Sequence, residues 1–321
     1  LRGCYQTETR TPESLHRAEE AFAQAITKDP RYAPAYAGLA SVYILLREAS
    51  MMPDPEAYAK AKDAALKAMA LDPDLPQAHA AMGFVTFFGD WNAAESERQF
   101  QTALRLDPDL PLAHHWYGSV LTHEGRFREG LAELDVAQRL DPSSAAILTL
   151  RAFAMGLNGR QAEGYDMLAE AVSAERPGQA RNPATMHGVL ATLSLLPPRN
   201  IPHYIAETTQ EAEVRQDTQT VETMRLAGEV YRRRGERAMW RALLEDEKKR
   251  RPDGSPDYAM ARYQAELGEK DKALDTLTEL FSRHDPALIG ISVDPLFASL
   301  RQDPRYERLR AAMGLPGVRE T

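Results

Sequence analysis

From Asp109 to Pro142 the chain reads DLPLAHHWYGSVLTHEGRFREGLAELDVAQRLDP, and its apolar and small positions fall on two helical stripes. His114, Tyr117, Gly118 and Leu121 stand at i, i+3, i+4 and i+7, one face of a 3.6-residue period; Gly130, Leu134 and Ala137 mark a second. The pattern predicts two helices of about a dozen residues, joined at Gly125 and closed by Pro142. Proline lacks the N–H that the ladder needs, and it disfavours helical geometry in the residue before it. Small residues at Gly118 and Gly130 allow two antiparallel helices to approach closely, while larger neighbours fill the groove between them. One hairpin cannot bury both of its apolar faces, so the pattern has to recur. Pro30, Pro73, Pro108 and Pro142 are 43, 35 and 34 residues apart, and three follow a Leu-Asp pair (Leu71 and Asp72, Leu106 and Asp107, Leu140 and Asp141). A period of this length predicts a solenoid.

Laid in register, the repeats share their slots. The large slots of the first helix are Tyr36, Leu39 and Tyr43, then His79, Met82 and Thr86, then His114, Tyr117 and Leu121, with a small slot at Ala40, Gly83, Gly118, Ala152, Gly228 and Ala261. The second helix has small residues at Ala18, Ala61, Gly130, Gly164 and Ala273, large ones at Phe22, Phe100, Leu134, Leu168 and Leu277, and a further small slot at Ala25, Ala68, Ala103, Ala137 and Ala171. Turn glycines stand at Gly125, Gly159, Gly235 and Gly268. On these residues the chain resembles the tetratricopeptide (TPR) family, whose unit is a 34-residue helix hairpin. Arg151, Ser96 and Trp240 depart from the family's apolar or small preferences. The resemblance implies an all-α fold, a right-handed superhelix of seven or eight hairpins with a C-terminal capping helix.

Taken in order, residues 1–177 read as an N-terminal array, 178–216 as a degenerate helical hairpin and 217–321 as further units and capping helices, one continuous solenoid. Leu1 to Gln6 read as the tail of a first helix. Thr11 and Pro12 open the next as N-cap and first-turn proline. Extra residues around Met51, Met52 and Pro53 account for the 43-residue spacing, as loop variation or as a lid over a binding surface. The helices expected at Asn182 to Leu196 and Ile201 to Gln216 lack the small slots, as a sixth hairpin or as a hinge between two superhelices. Val293 to Leu315 reads as terminal helices covering the last apolar face. That tail, with AITKDPRYAPAYAGLASVY and AHHWYG, resembles the C-terminal TPR region of bacterial CadC-type winged-helix transcriptional regulators, and similar regions occur on some bacterial serine/threonine kinases and adenylate cyclases.

Charge and composition narrow the function. A net charge of −8 argues against a surface made for nucleic acid. No apolar run approaches the length of a membrane span. Cys4 is the single cysteine, which excludes an internal disulfide and leaves the compartment open: cytoplasm, or an extracytoplasmic space if a membrane span precedes Leu1. His114, His115 and His123 invite a metal reading, but His115 and His123 lie two turns apart, roughly 12 Å along a helix, beyond the reach of one ion. The expectation is a packed His114 and surface histidines at the other two, with no metal. There is no phosphate loop, nucleophile elbow or HExxH signature, which argues against an enzyme and against a cofactor. Acids alternate with bases on outer helix faces, as in Glu245 to Arg251. Arg232 to Arg251 holds nine basic residues against four acids, either a solvated hairpin or a patch for an acidic partner.

The resemblance therefore implies a non-catalytic, sensory or protein-interaction module, with a regulatory appendage of a kinase or cyclase and a free-standing scaffold as alternatives. TPR proteins hold their ligand along the concave wall of first helices. Transferred to this chain, that wall comprises Phe84, Phe87, Phe88, His115, Trp116, Ser119, His123 and Phe153, then Arg225, Arg232, Tyr258 and Arg262: aromatic first, basic afterwards. A protein or peptide partner is expected there. The Lys and Asn pairing that clamps a C-terminal carboxylate in some TPR proteins is missing. Two arrangements fit the aromatic half, an exposed groove with Trp116 as anchor, or a superhelix tight enough to bury these rings against one another.

Overall fold

The structure, a computed structural model, describes residues 12–48, 51–174 and 183–315; the expected helix tail at Leu1 to Gln6 and the Thr11 cap lie outside the described residues. Every regular element among these residues is helical. The α-helices are α1 (Pro12–Lys28), α2 (Ala33–Glu48), α3 (Asp54–Leu71), α4 (Pro76–Phe88), α5 (Ala93–Leu106), α6 (Pro111–His123), α7 (Phe127–Leu140), α8 (Ala145–Leu157), α9 (Gln161–Ser173), α10 (Pro183–Leu195), α11 (Ile201–Val214), α12 (Thr218–Arg234), α13 (Glu236–Arg250), α14 (Tyr258–Glu266), α15 (Lys270–Ser282) and α16 (Pro304–Ala312). Two 3₁₀ helices, Pro286–Ser292 and Pro295–Leu300, precede α16. Consecutive helices pack against one another, as the repeat predicts. Four of the hairpin turns carry the expected glycine in a left-handed conformation, at φ 86° for Gly125, 81° for Gly159, 80° for Gly235 and 79° for Gly268, where a side chain would be strained.

The chain forms two compact units, one built on α1 to α7 and the other on α8 onward, with the turn His123–Phe127 belonging to the second. In the first, the small slots work as the sequence predicts. A Cβ on Gly118 of α6 would stand 2.7 Å from Leu134 Cγ of α7, and one on Gly83 of α4 would stand 2.8 Å from the Phe100 ring of α5. Ser96, an exception to the repeat pattern, is fully buried and donates its hydroxyl to the Gly83 carbonyl at 2.7 Å, so its polarity is satisfied inside the hairpin.

In the second unit, α10 and α11 do form a hairpin, with α10 at Pro183–Leu195 and α11 ending at Val214. Ala191, Leu195, Ile201 and Tyr204 join Met224, Trp240, Leu243 and Leu296 in one core. Large side chains take the place of small slots here, with Tyr204 and Trp240 ring centroids 5.6 Å apart, and for that reason the repeat signal fades. The terminal cap starts at Pro286, before the expected Val293. It is punctuated by Asp285-Pro286, Asp294-Pro295 and Asp303-Pro304, each Asp accepting a backbone N–H two residues on at 2.9 Å. Asp-Pro is a cap followed by a first-turn proline, so its recurrence starts three short helices rather than one long one. Arg310, fully buried, donates to Ser292 Oγ at 3.0 Å and pairs with Glu307 at 3.0 Å.

Candidate functional site

Helices α4 and α6 hold the densest aromatic cluster of the first unit. All residues from Ala78 to Phe88 in α4 and from Ala113 to Thr122 in α6 are buried, as helices apolar around most of their circumference must be. The Phe84 ring centroid lies 4.4 Å from Phe88 and 5.3 Å from Trp116, and Phe87 meets Phe88 edge-on at 5.0 Å. The Trp116 indole N–H donates to Glu48 Oε1 at 3.2 Å. Phe84, Phe87, Phe88 and Trp116 are 2, 1, 5 and 0% exposed, so of the two arrangements left open above, the rings are sealed against one another. His115, expected at the surface, is 4% exposed; its helix has no solvent face along this stretch, so the residue after the packed His114 is enclosed as well. Ser119 is also buried.

The other wall residues are in the second unit. His123 and Phe153 are half-buried, and Arg225 and Arg232 are exposed. Arg225 is held by Glu222 at 2.7 Å and by Glu229. Tyr258 packs edge-on against Phe297 at 5.4 Å, and Arg262 lies 2.8 Å from the Asp294 carboxylate. Burial raises the Tyr258 hydroxyl pKa well above the phenol value, and the Asp294 charge adds to the rise. The basic half of the expected wall is therefore divided: Arg225 and Arg262 are neutralised in ion pairs, and Arg232 forms none among the described residues.

Beside the sealed aromatics the first unit opens a cleft of about 460 Å³, lined by Arg47, Glu48, Met51, Met52, Pro53 and Asp54. Arg47 grips Asp54 through two nitrogens, at 3.1 and 2.9 Å, and lies 5.6 Å over the Tyr58 ring. This fork fixes the two charges, while Met51 and Met52 present flexible thioether chains able to fit irregular apolar surfaces. Glu48 belongs both to the cleft and to the Trp116 hydrogen bond, so the cleft reaches the aromatic core through one carboxylate. The only trace of it in the sequence is the extra length between two prolines.

Histidines lock the hairpins at a recurring position. His114 places Nδ1 2.6 Å from Glu133 Oε2 and Nε2 2.8 Å from the Pro108 carbonyl; His79 does the same with Gln99 and the Pro73 carbonyl, both at 2.7 Å. His187 meets Glu207 at 2.6 Å. Burial pulls the His114 pKa down, but the bonds to Glu133 and Pro108 and the charges of Glu133 and Asp109 outweigh it, and the net shift is upward. Among the described residues no group of His, Cys, Asp and Glu is placed to hold a metal ion, and no helix is long and apolar enough to cross a membrane.

No protein-family model matches the chain. Among curated proteins it is similar to the transcriptional regulator HilA of Salmonella typhimurium and of Salmonella typhi, each 28% identical over 151 residues, which is 46% of this chain and 26% of the relative. The chain thus spans about a quarter of the length of these relatives. Solved structures similar to it include PilF of Pseudomonas aeruginosa (18% identical, 66% of this chain and 97% of that one, TM-score 0.43). A tetratricopeptide repeat protein from Parabacteroides merdae is 12% identical over 91% of this chain and 96% of its own, TM-score 0.43. YrrB, a TPR protein with an unusual peptide-binding site, is 20% identical over 57% and 88%, TM-score 0.35.

Proposed function

We propose that the chain is the protein-interaction and sensory module of a larger bacterial signalling protein, a transcriptional regulator of the CadC type, with no catalytic role of its own. The similarity to the transcriptional regulator HilA over 151 residues carries this reading. Stacked hairpins supply the physics, since each adds a helix face to an extended surface on which a peptide or helix can lie. In this reading a protein partner seats an apolar side chain between Met51 and Met52 and finds the Arg47 and Asp54 charges already fixed beside it. In the second unit the half-buried or exposed wall residues His123, Phe153, Arg225, Arg232 and Tyr258 are a separate set of proposed contacts, and in the first unit the sealed aromatics support the helices behind the cleft.

The test uses the full-length protein. The coding sequence ahead of Leu1 is expected to encode a winged-helix DNA-binding domain, and replacing Met51 and Met52 with Glu is expected to abolish signal-dependent transcription with DNA binding unchanged. A kinase or cyclase domain in that place overturns the regulator reading. So does a sequence-selective, salt-resistant gel shift by the isolated chain.

A further inference from the structure

Helices α12 and α13 are joined by a single residue, Gly235. This turn sets Arg232, Arg233 and Arg234, the last turn of α12, beside Arg237 and Arg241 at the start of α13. All five are exposed. The three consecutive arginines form no ion pair with any described residue, whereas the same unit pairs Arg199, Arg225, Arg250, Arg251, Arg262 and Arg310 with carboxylates.

The acids near the tip are engaged elsewhere. Glu236 stands 3.2 Å from Arg199 and accepts the Trp240 indole N–H at 3.0 Å. Glu229 is held by Arg225. Glu269 lies 2.9 Å from Lys272 and 3.9 Å from Arg241, so Arg241 is partly compensated, and Arg237 donates to the Leu267 carbonyl at 3.3 Å. The C-terminal end of α12 favours Arg232, Arg233 and Arg234, whereas the N-terminal end of α13 disfavours Arg237, so helix electrostatics account for only part of the cluster.

We infer that this hairpin tip is a docking surface for an acidic peptide segment of a protein partner. Guanidinium forks match carboxylates two bonds at a time, which suits Asp and Glu side chains. The size of the anion follows from the rest of the chain. With a net charge of −8 and a screening length of about 8 Å at physiological ionic strength, a duplex or a bilayer lying across the molecule meets acidic surface beyond the patch. A short acidic peptide meets only the arginines. Five exposed guanidinium groups make charge the driving force of the association, which is fast and salt-labile. Arg232 is common to this surface and to the proposed partner wall, but the peptide titration needs no regulator domain, so either reading can fail alone.

The test is fluorescence anisotropy of a labelled oligoglutamate peptide titrated with the full 321-residue chain. Saturable binding is expected, weakening roughly tenfold between low and physiological salt. The triple variant Arg232→Glu, Arg233→Glu, Arg234→Glu is expected to lose it with an unchanged melting temperature, and the corresponding Gln variant to weaken it in part. Reversal of Arg105, Arg128 and Arg139, exposed on the other unit, is expected to leave binding intact. Wild-type binding by the Glu variant, or equal loss in both reversals, overturns the site. Stronger competition by a short mixed-sequence duplex or by phosphatidylserine vesicles overturns the choice of partner.

Discussion

At the scale of single residues, His114 ties protonation to folding. Both ring nitrogens face groups that only accept, the Glu133 carboxylate and the Pro108 carbonyl, and a neutral imidazole has one N–H to give. The fold therefore favours the protonated ring, and the folded pKa rises above the unfolded value of about 6.5. Its stabilising contribution is complete below that value and is lost as pH rises through the folded pKa. Urea unfolding of the wild type and of Glu133→Gln across this range is expected to show a stability difference that shrinks with rising pH; a constant difference sinks the linkage. The packing of His114 was legible from its slot, but Glu133 was not, because periodicity does not say which acid 19 residues on turns inward. Trp116 shows the same limit. Its position in the repeat was readable, whereas its enclosure depends on how closely α4 and α6 stack. Trp116→Ala is expected to cost about 3–5 kcal/mol in chemical unfolding, as truncation of a fully buried aromatic does. A loss under about 1 kcal/mol would mean that the ring supports nothing.

At the scale of helices, two small-slot glycines, one in a second helix of the repeat and one in a first, part company. Gly164 and Gly228 both fill small slots of the repeat, and both are helical. A Cβ on Gly164 would stand 2.5 Å from the Ala152 carbonyl oxygen, a backbone atom that moves only with its helix. A Cβ on Gly228 meets nothing nearer than Ile205 Cγ2 at 3.6 Å, an ordinary contact. Helix propensity favours Ala over Gly by about 0.5–1 kcal/mol, so Gly228→Ala is expected to stabilise by that amount. Gly164→Ala is expected to destabilise by about 1–3 kcal/mol through overpacking. Denaturant midpoints at equal slope decide the matter, and two shifts of the same sign would refute the close approach of α8 and α9. The hairpins, their turn glycines and their proline stops were legible because each is a local rule repeated in register. Periodicity starts the cap late because the Asp-Pro starts break the helix period, although each start is itself a plain local signal.

At the scale of the whole chain, a stack of hairpins holds itself together mainly through neighbours. The first unit makes several of its packing contacts within itself: Gly118 against Leu134, Gly83 against Phe100, the Phe84 to Trp116 cluster and the Trp116 bond to Glu48. These contacts all fall before Pro142, at a turn where the sequence already ends a helix. A fragment of residues 1–142 is therefore expected to fold alone, with a helical circular dichroism spectrum and one cooperative denaturant transition. Its fluorescence comes from Trp91 and Trp116, both largely shielded from water, and is expected to be blue-shifted until that transition and red-shifted after it. The second unit has its own reporter in Trp240, 1% exposed, so the full-length chain allows the two transitions to be compared. A fragment that binds a hydrophobic dye and unfolds without a cooperative transition would show that the aromatic cluster needs α8 and the helices beyond it. The small-slot repeat would then describe the course of the chain without marking what folds by itself.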